Sequence, residues 1–146
     1  MTTAEFRESV EPQYTLPYER TAGDAAGKRV LVIGAGSGTD VAIALRRGAA
    51  SVDAVEIDPR LQEIGAQRHP DRPYDDPRVQ VHVDDGRSFL ERTDETFDLV
   101  LFALPDSLTL VSGASSLRLE SYLFTQEAME AARDRLAPGG AFAMYN

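Results

Sequence analysis

The chain has 146 residues and no cysteine, which fits one domain around a single core and a reducing compartment, and excludes disulfides, thiolate metal sites and cysteine nucleophiles. Its two histidines are too few for a histidine-built metal site, and a formal charge of -9, from 15 basic and 24 acidic residues, leaves no basic stripe for nucleic acid. The longest apolar run, Leu99 to Leu104, is far too short to span a bilayer, and the mixed-charge start Met1–Glu8 lacks the apolar segment of a secretory leader. The matching expectations are no metal, no nucleic acid, no membrane contact by this segment and a cytoplasmic location.

Residues 1–27 carry Pro12, Pro17, Gly23 and Gly27 with little periodicity and read as an irregular arm, with one short strand around Tyr14–Tyr18. From residue 28 to 146 the pattern is regular. Lys28–Ile33 is an apolar, β-branched run expected to be a strand buried on both faces. Gly38–Arg47 reads as a helix stopped by Gly48, and Ser51–Ile57 as a second strand. Asp58-Pro59 is a helix start, an N-cap followed by proline at the first helical position, and that helix fades by His69-Pro70. After a proline- and aspartate-rich loop, Asp71–Pro77, the alternating Arg78–Val83 reads as a more exposed third strand with His82 outward. Gly86–Arg92 is a short helix and Phe97–Ala103 a fourth buried strand. A long serine-rich loop, Leu104–Ser121, precedes a helix capped by Thr125 and running to Leu136. Pro138-Gly139-Gly140 then turns the chain into a fifth strand, Ala141–Tyr145. Strands alternating with helices predict an α/β domain with a parallel, Rossmann-like sheet. A domain of this type normally continues past a fifth strand, so truncation there is also expected.

The chemistry-bearing features fall at the carboxyl ends of these strands, where open α/β sheets bind ligands. Gly34, Ala35, Gly36, Ser37 and Gly38 form a glycine-rich turn after the first strand. Its spacing departs from the dinucleotide fingerprint, because Thr39 stands at the third glycine position. Glu56 closes the second strand where an acid can accept hydrogen bonds from ribose hydroxyls, with Ile57 beside it. Turn and acid together fit NAD as well as S-adenosyl ligands. Asp84, Asp85 and Gly86 follow the third strand; an acid there can meet an adenine amino group, although Asp-Gly is also an ordinary turn dipeptide. Asp40 reads as a first-turn acid complementing the helix dipole. Asp106, in the long loop at the mouth of this edge, is the candidate catalytic acid.

Val30–Gly36, Val52–Pro59, Asp75–Leu90, Phe97–Leu101, Leu123–Thr125 and Leu136–Gly140 together resemble the spermidine synthase-like aminopropyltransferases, a branch of the S-adenosylmethionine-dependent methyltransferase fold. The resemblance implies strand order 3-2-1-4-5 and a site for S-adenosylmethionine or its decarboxylated form. Under it Glu56 holds the ribose hydroxyls, Asp85 meets the adenine amino group, and Gly34 and Gly36 pass close to the ligand. A polyamine is the implied small-molecule substrate, and a homodimer is among the expected assemblies.

The sequence departs from the family in two places. Ser37 stands where the family usually has an aspartate inside the glycine turn, and Ala103 where it has a proton-accepting aspartate after the fourth strand. Only Asp106 matches the second acid of that Asp-x-x-Asp-Pro stretch. Three functions are therefore carried forward: aminopropyl transfer, methyl transfer from intact S-adenosylmethionine, and ligand binding without catalysis by a domain of a larger membrane protein.

Overall fold

A computed structural model describes residues 25–103 and 125–144. The expected strand at Tyr14–Tyr18, nearly all of the N-terminal arm, the long serine-rich loop and Asp106 lie outside the described residues.

The chain order is β1 (Arg29–Ile33), α1 (Thr39–Arg46), β2 (Ser51–Glu56), α2 (Pro59–Arg68), a short 3-10 turn (Pro73–Asp75), β3 (Val79–Val83), α3 (Gly86–Arg92), β4 (Phe97–Phe102), α4 (Gln126–Asp134) and β5 (Leu136–Met144). All strand pairs are parallel, and the sheet order is β3-β2-β1-β4-β5, as the resemblance implied. The period-two alternation of strand side chains divides the core between the two faces. Val30, Val32, Val52, Ala54, Leu99 and Leu101 pack on one face with Val41, Ile43 and Ala44 of α1. Leu31, Ile33, Val55, Val100 and Phe102 pack on the other with Phe89 and Leu90 of α3 and Ala132 of α4. β1 from Val30 and β4 from Leu99 read as unbroken apolar runs because both of their faces are covered.

Helix starts follow the side chains expected of them. Asp58 accepts the Arg60 N–H at 2.8 Å, and Thr125 accepts the Ala128 N–H at 3.2 Å. Three expectations need correction. The last helix stops at Asp134 rather than Leu136, because the Arg135 carbonyl is taken by the Phe97 N–H at 2.7 Å and Leu136 pairs opposite Phe97 as the first residue of β5. Pro138-Gly139-Gly140 does not precede the strand but bulges within it. The register moves from Phe97 with Leu136 to Leu99 with Ala141, so the extra residues are extruded between the two paired segments. His82 also differs from the outward edge residue expected of it. β3 is indeed an edge strand, but His82 Nε2 lies 2.9 Å from Oδ1 of the buried Asp53, and its ring centroid is 4.6 Å from that of Phe89. Among the described residues no helix is long and apolar enough to cross a membrane.

Candidate nucleoside site at the carboxyl edge

The carboxyl ends of β1, β2, β3 and β4 lie side by side, so the residues that follow them share one edge. Backbone bonds hold the edge together. The Gly34 and Ala35 N–H groups donate to the Val55 carbonyl, the Asp84 N–H to the Glu56 carbonyl, and the Ala103 N–H to the Ile33 carbonyl. Of the candidate residues, Gly34–Ser37, Glu56, Ile57 and Asp84–Gly86 all fall on this edge.

Glu56 organises the centre. It is 1% exposed, and its carboxylate accepts two backbone bonds, from the Gly36 N–H at Oε1 (2.9 Å) and the Asp58 N–H at Oε2 (2.8 Å). One side chain therefore joins the glycine turn to the start of α2. An ionised carboxylate is an acceptor-only group, with both oxygens able to take donors. A vicinal diol is the ligand group that matches two adjacent acceptors at a strand end.

Gly36 is held from its other side as well. The Tyr74 hydroxyl, from the 3-10 turn, donates to the Gly36 carbonyl at 2.7 Å. Burial, reinforced by the charges of Glu56 and then Asp40, pushes the Tyr74 phenol well above its ordinary pKa, so the hydroxyl keeps its proton and remains a donor. The ring covers Gly38, whose φ of +98° and closeness to Pro73 leave no room for a side chain; a Cβ there would lie 2.7 Å from Pro73 Cγ. Asp40 sits in the first turn of α1 as expected, but it is buried rather than solvated.

Asp85 and Asp84 carry structural bonds in addition to any ligand role. Asp85 is the N-cap of α3, with Oδ2 accepting the Ser88 N–H at 3.2 Å and the Ser88 hydroxyl at 2.9 Å; Oδ1 takes no part in the cap. Asp84 accepts the Asp85 N–H and pairs with Arg92. Ile57 and Val83 are exposed apolar residues at the ends of adjacent strands, 39% and 52% accessible. Ser37 is half-buried, with its hydroxyl 3.5 Å from that of Thr39, and Ala103 is buried. Among the described residues no cluster of His, Asp or Glu is placed to hold a metal ion. A separate open cleft of about 270 Å³, lined in part by Ala42, Arg46, Pro73 and Arg78, contains none of the candidate residues.

The spermine/spermidine synthase domain model matches residues 20–146 of the chain. The chain belongs to this family. It is 34% identical over 123 residues to a polyamine aminopropyltransferase of Shigella flexneri serotype 5b, covering 82% of this chain and 40% of that protein. The family domain here thus spans about two fifths of the length of such relatives. Among solved structures, a spermidine synthase in complex with the transition state analogue AdoDATO superposes with a TM-score of 0.69 at 22% identity, covering 90% of this chain and 45% of that one. The N-methyltransferase NodS of Bradyrhizobium japonicum superposes with a TM-score of 0.65 at 19% identity, covering 99% and 70%. The fold of this family member is therefore the Rossmann-like one of the S-adenosylmethionine-dependent methyltransferases.

Sequence reasoning placed Glu56 and the glycine turn correctly at this edge but missed Tyr74 and Gly65, the α2 glycine whose absent side chain lets that helix lie against Ser37. The signal for Tyr74 was present, as a single aromatic residue inside a stretch otherwise built of proline, aspartate and arginine.

Proposed function

We propose that this domain is a transferase module that binds an S-adenosyl nucleoside at the carboxyl edge and transfers an aminopropyl group to a polyamine. The observation that carries the reading is the buried Glu56 carboxylate at the end of β2, which ties the glycine turn to the start of α2 through Gly36 and Asp58. Ile57 would lie against the adenine, Asp85 Oδ1 would accept from its amino group, and Gly34 and Gly36 would allow close approach of the sulfonium-bearing arm. Family membership and the curated aminopropyltransferase relatives support the reaction class.

When bound, the decarboxylated ligand supplies a carbon made electrophilic by its neighbouring sulfonium. The acceptor amine forms the new C–N bond as the C–S bond breaks, and the sulfur leaves with the electron pair as a neutral thioether. The amine must also lose a proton, and its pKa in water is about 10, so a carboxylate at the mouth of the site has to orient it and take that proton. Asp106 is the residue proposed for that role. The net charge of -9 favours approach of a polycation over that of an anion.

A second reading, methyl transfer from intact S-adenosylmethionine, is favoured by Ser37 and the buried Ala103. A carboxylate inside the turn would repel the ligand's own carboxylate, and Ser37 does not. Calorimetry with S-adenosylmethionine and its decarboxylated form decides between the two readings. Tighter binding of the decarboxylated form, together with putrescine-dependent release of methylthioadenosine, is the expected outcome. Tighter binding of the carboxylated form would transfer the assignment to methylation, and binding of neither would remove both. Ser37→Asp combined with Ala103→Asp should raise putrescine-dependent turnover; no gain would mean that the acids alone do not complete an amine site here.

A further inference from the structure

We propose that Tyr74 is a positioning residue for the nucleoside cradle, fixing the backbone of Gly36 from the side opposite Glu56. Both peptide groups that flank Gly36 are held by side chains. The Gly36 N–H, in the peptide that precedes the residue, is bound by Glu56 at 2.9 Å. The Gly36 carbonyl, in the peptide that follows it, is bound by Tyr74 at 2.7 Å. Between those two peptides lie only the φ and ψ torsions of Gly36. Glycine is the residue with the most freedom at these torsions, and here φ is +53°. Holding both flanking peptides removes that freedom before any ligand arrives.

The surroundings make the hold a stiff one. The Tyr74 ring packs against Gly38, with Cε2 and Cζ 3.2 and 3.5 Å from where a Cβ would stand. Its hydroxyl stays protonated because burial and two nearby acids disfavour the phenolate. A cradle set in advance binds more tightly than one that must be ordered by its ligand. Glu56 holds only the N–H; the Gly38 N–H closes the turn onto the Ala35 carbonyl at 2.9 Å, and Tyr74 adds the one side-chain hold on the Gly36 carbonyl between them.

The backbone part of this inference stands without any ligand; the affinity part rests on the proposed nucleoside site. Tyr74→Phe keeps the ring over Gly38 and removes only the hydroxyl. Amide exchange should then accelerate about tenfold at Gly36, while the amides of β1 and β4 stay within about twofold of the wild type. Affinity for S-adenosylmethionine, or for the decarboxylated form if that binds better, should fall about tenfold. Faster Gly36 exchange in a protein whose wild type binds neither nucleoside would support the clamp while sinking the functional reading. Wild-type binding with unchanged Gly36 exchange and unchanged affinity in Tyr74→Phe would overturn the clamp. Acceleration spread evenly over β1 and β4 would overturn it too, because it would show general loosening rather than positioning.

Discussion

Glu56→Ala should abolish measurable nucleoside binding and lower stability by about 2–4 kcal/mol. The carboxylate accepts the N–H groups of Gly36 and Asp58, and removal leaves both without it at a position that is 1% exposed. A hydrogen bond to a charged group contributes roughly 1.5–3 kcal/mol, so two such bonds sum to about 3–6 kcal/mol. Removal also relieves the desolvation of a buried charge, and that relief keeps the net loss below the sum. Glu56→Gln separates the two roles. Its amide oxygen can keep one of the N–H bonds, but its NH₂ then faces the other N–H donor, so stability should fall less than for alanine while diol binding is still lost. Urea unfolding followed by circular dichroism reads the stability, and calorimetry with S-adenosylmethionine and its decarboxylated form reads the binding. Full retention of affinity in Glu56→Ala would mean that the nucleoside binds elsewhere.

Gly65→Ala should cost about 1–3 kcal/mol, although alanine is the better helix former by about 1 kcal/mol. The added Cβ would lie 2.5 Å from the Ser37 carbonyl oxygen and 2.8 and 2.9 Å from its C and Cα. These are backbone atoms and have no rotamer by which to move aside. Either α2 retreats or the glycine turn is pushed, and the effect reaches Glu56 because its second bond goes to Asp58, immediately before α2. Nucleoside affinity should therefore fall together with stability. Gln67→Ala, an exposed change on the same helix, should stay within about 0.5 kcal/mol of wild type and leave affinity alone. If Gly65→Ala proved as mild as Gln67→Ala, the close packing of α2 on the turn would not be what shapes the cradle.

These two residues illustrate what could be read from sequence. Glu56 was legible because it depends on a local pattern: an apolar strand, a glycine turn, a second strand and a terminal acid at regular spacing. The parallel sheet was legible from alternating strands and helices, and its strand order from the family resemblance, whose stretches occur in the expected sequence. Gly65 was not, because its meaning lies in a contact with Ser37 that no period along α2 reports. The same holds for Tyr74, which reaches back 38 residues to Gly36, and for His82, which an alternating edge strand turns outward on paper and a buried Asp53 captures in space. The bulge in β5 escaped because Pro-Gly-Gly is ordinarily a turn, whereas pairing of Leu136 with Phe97 draws the strand start to the other side of it. Asp85 was placed at this edge, but its N-cap bonds to Ser88 could not be read from the Asp-Gly pair alone.

If Glu56 and the turn it holds form the nucleoside site, a nucleoside must perturb these residues first. The most direct measurement is a titration of the isotope-labelled protein with methylthioadenosine, which carries the adenine and ribose without the sulfonium arm, followed at individual backbone amides. Saturable shifts should be largest at Gly34–Gly36, Ile57–Asp58 and Asp84–Gly86, and should be lost in Glu56→Ala. No shift at roughly 1 mM ligand, which corresponds to binding weaker than about 4 kcal/mol, would contradict that site. So would shifts centred on the Ala42–Arg78 cleft instead of the carboxyl edge.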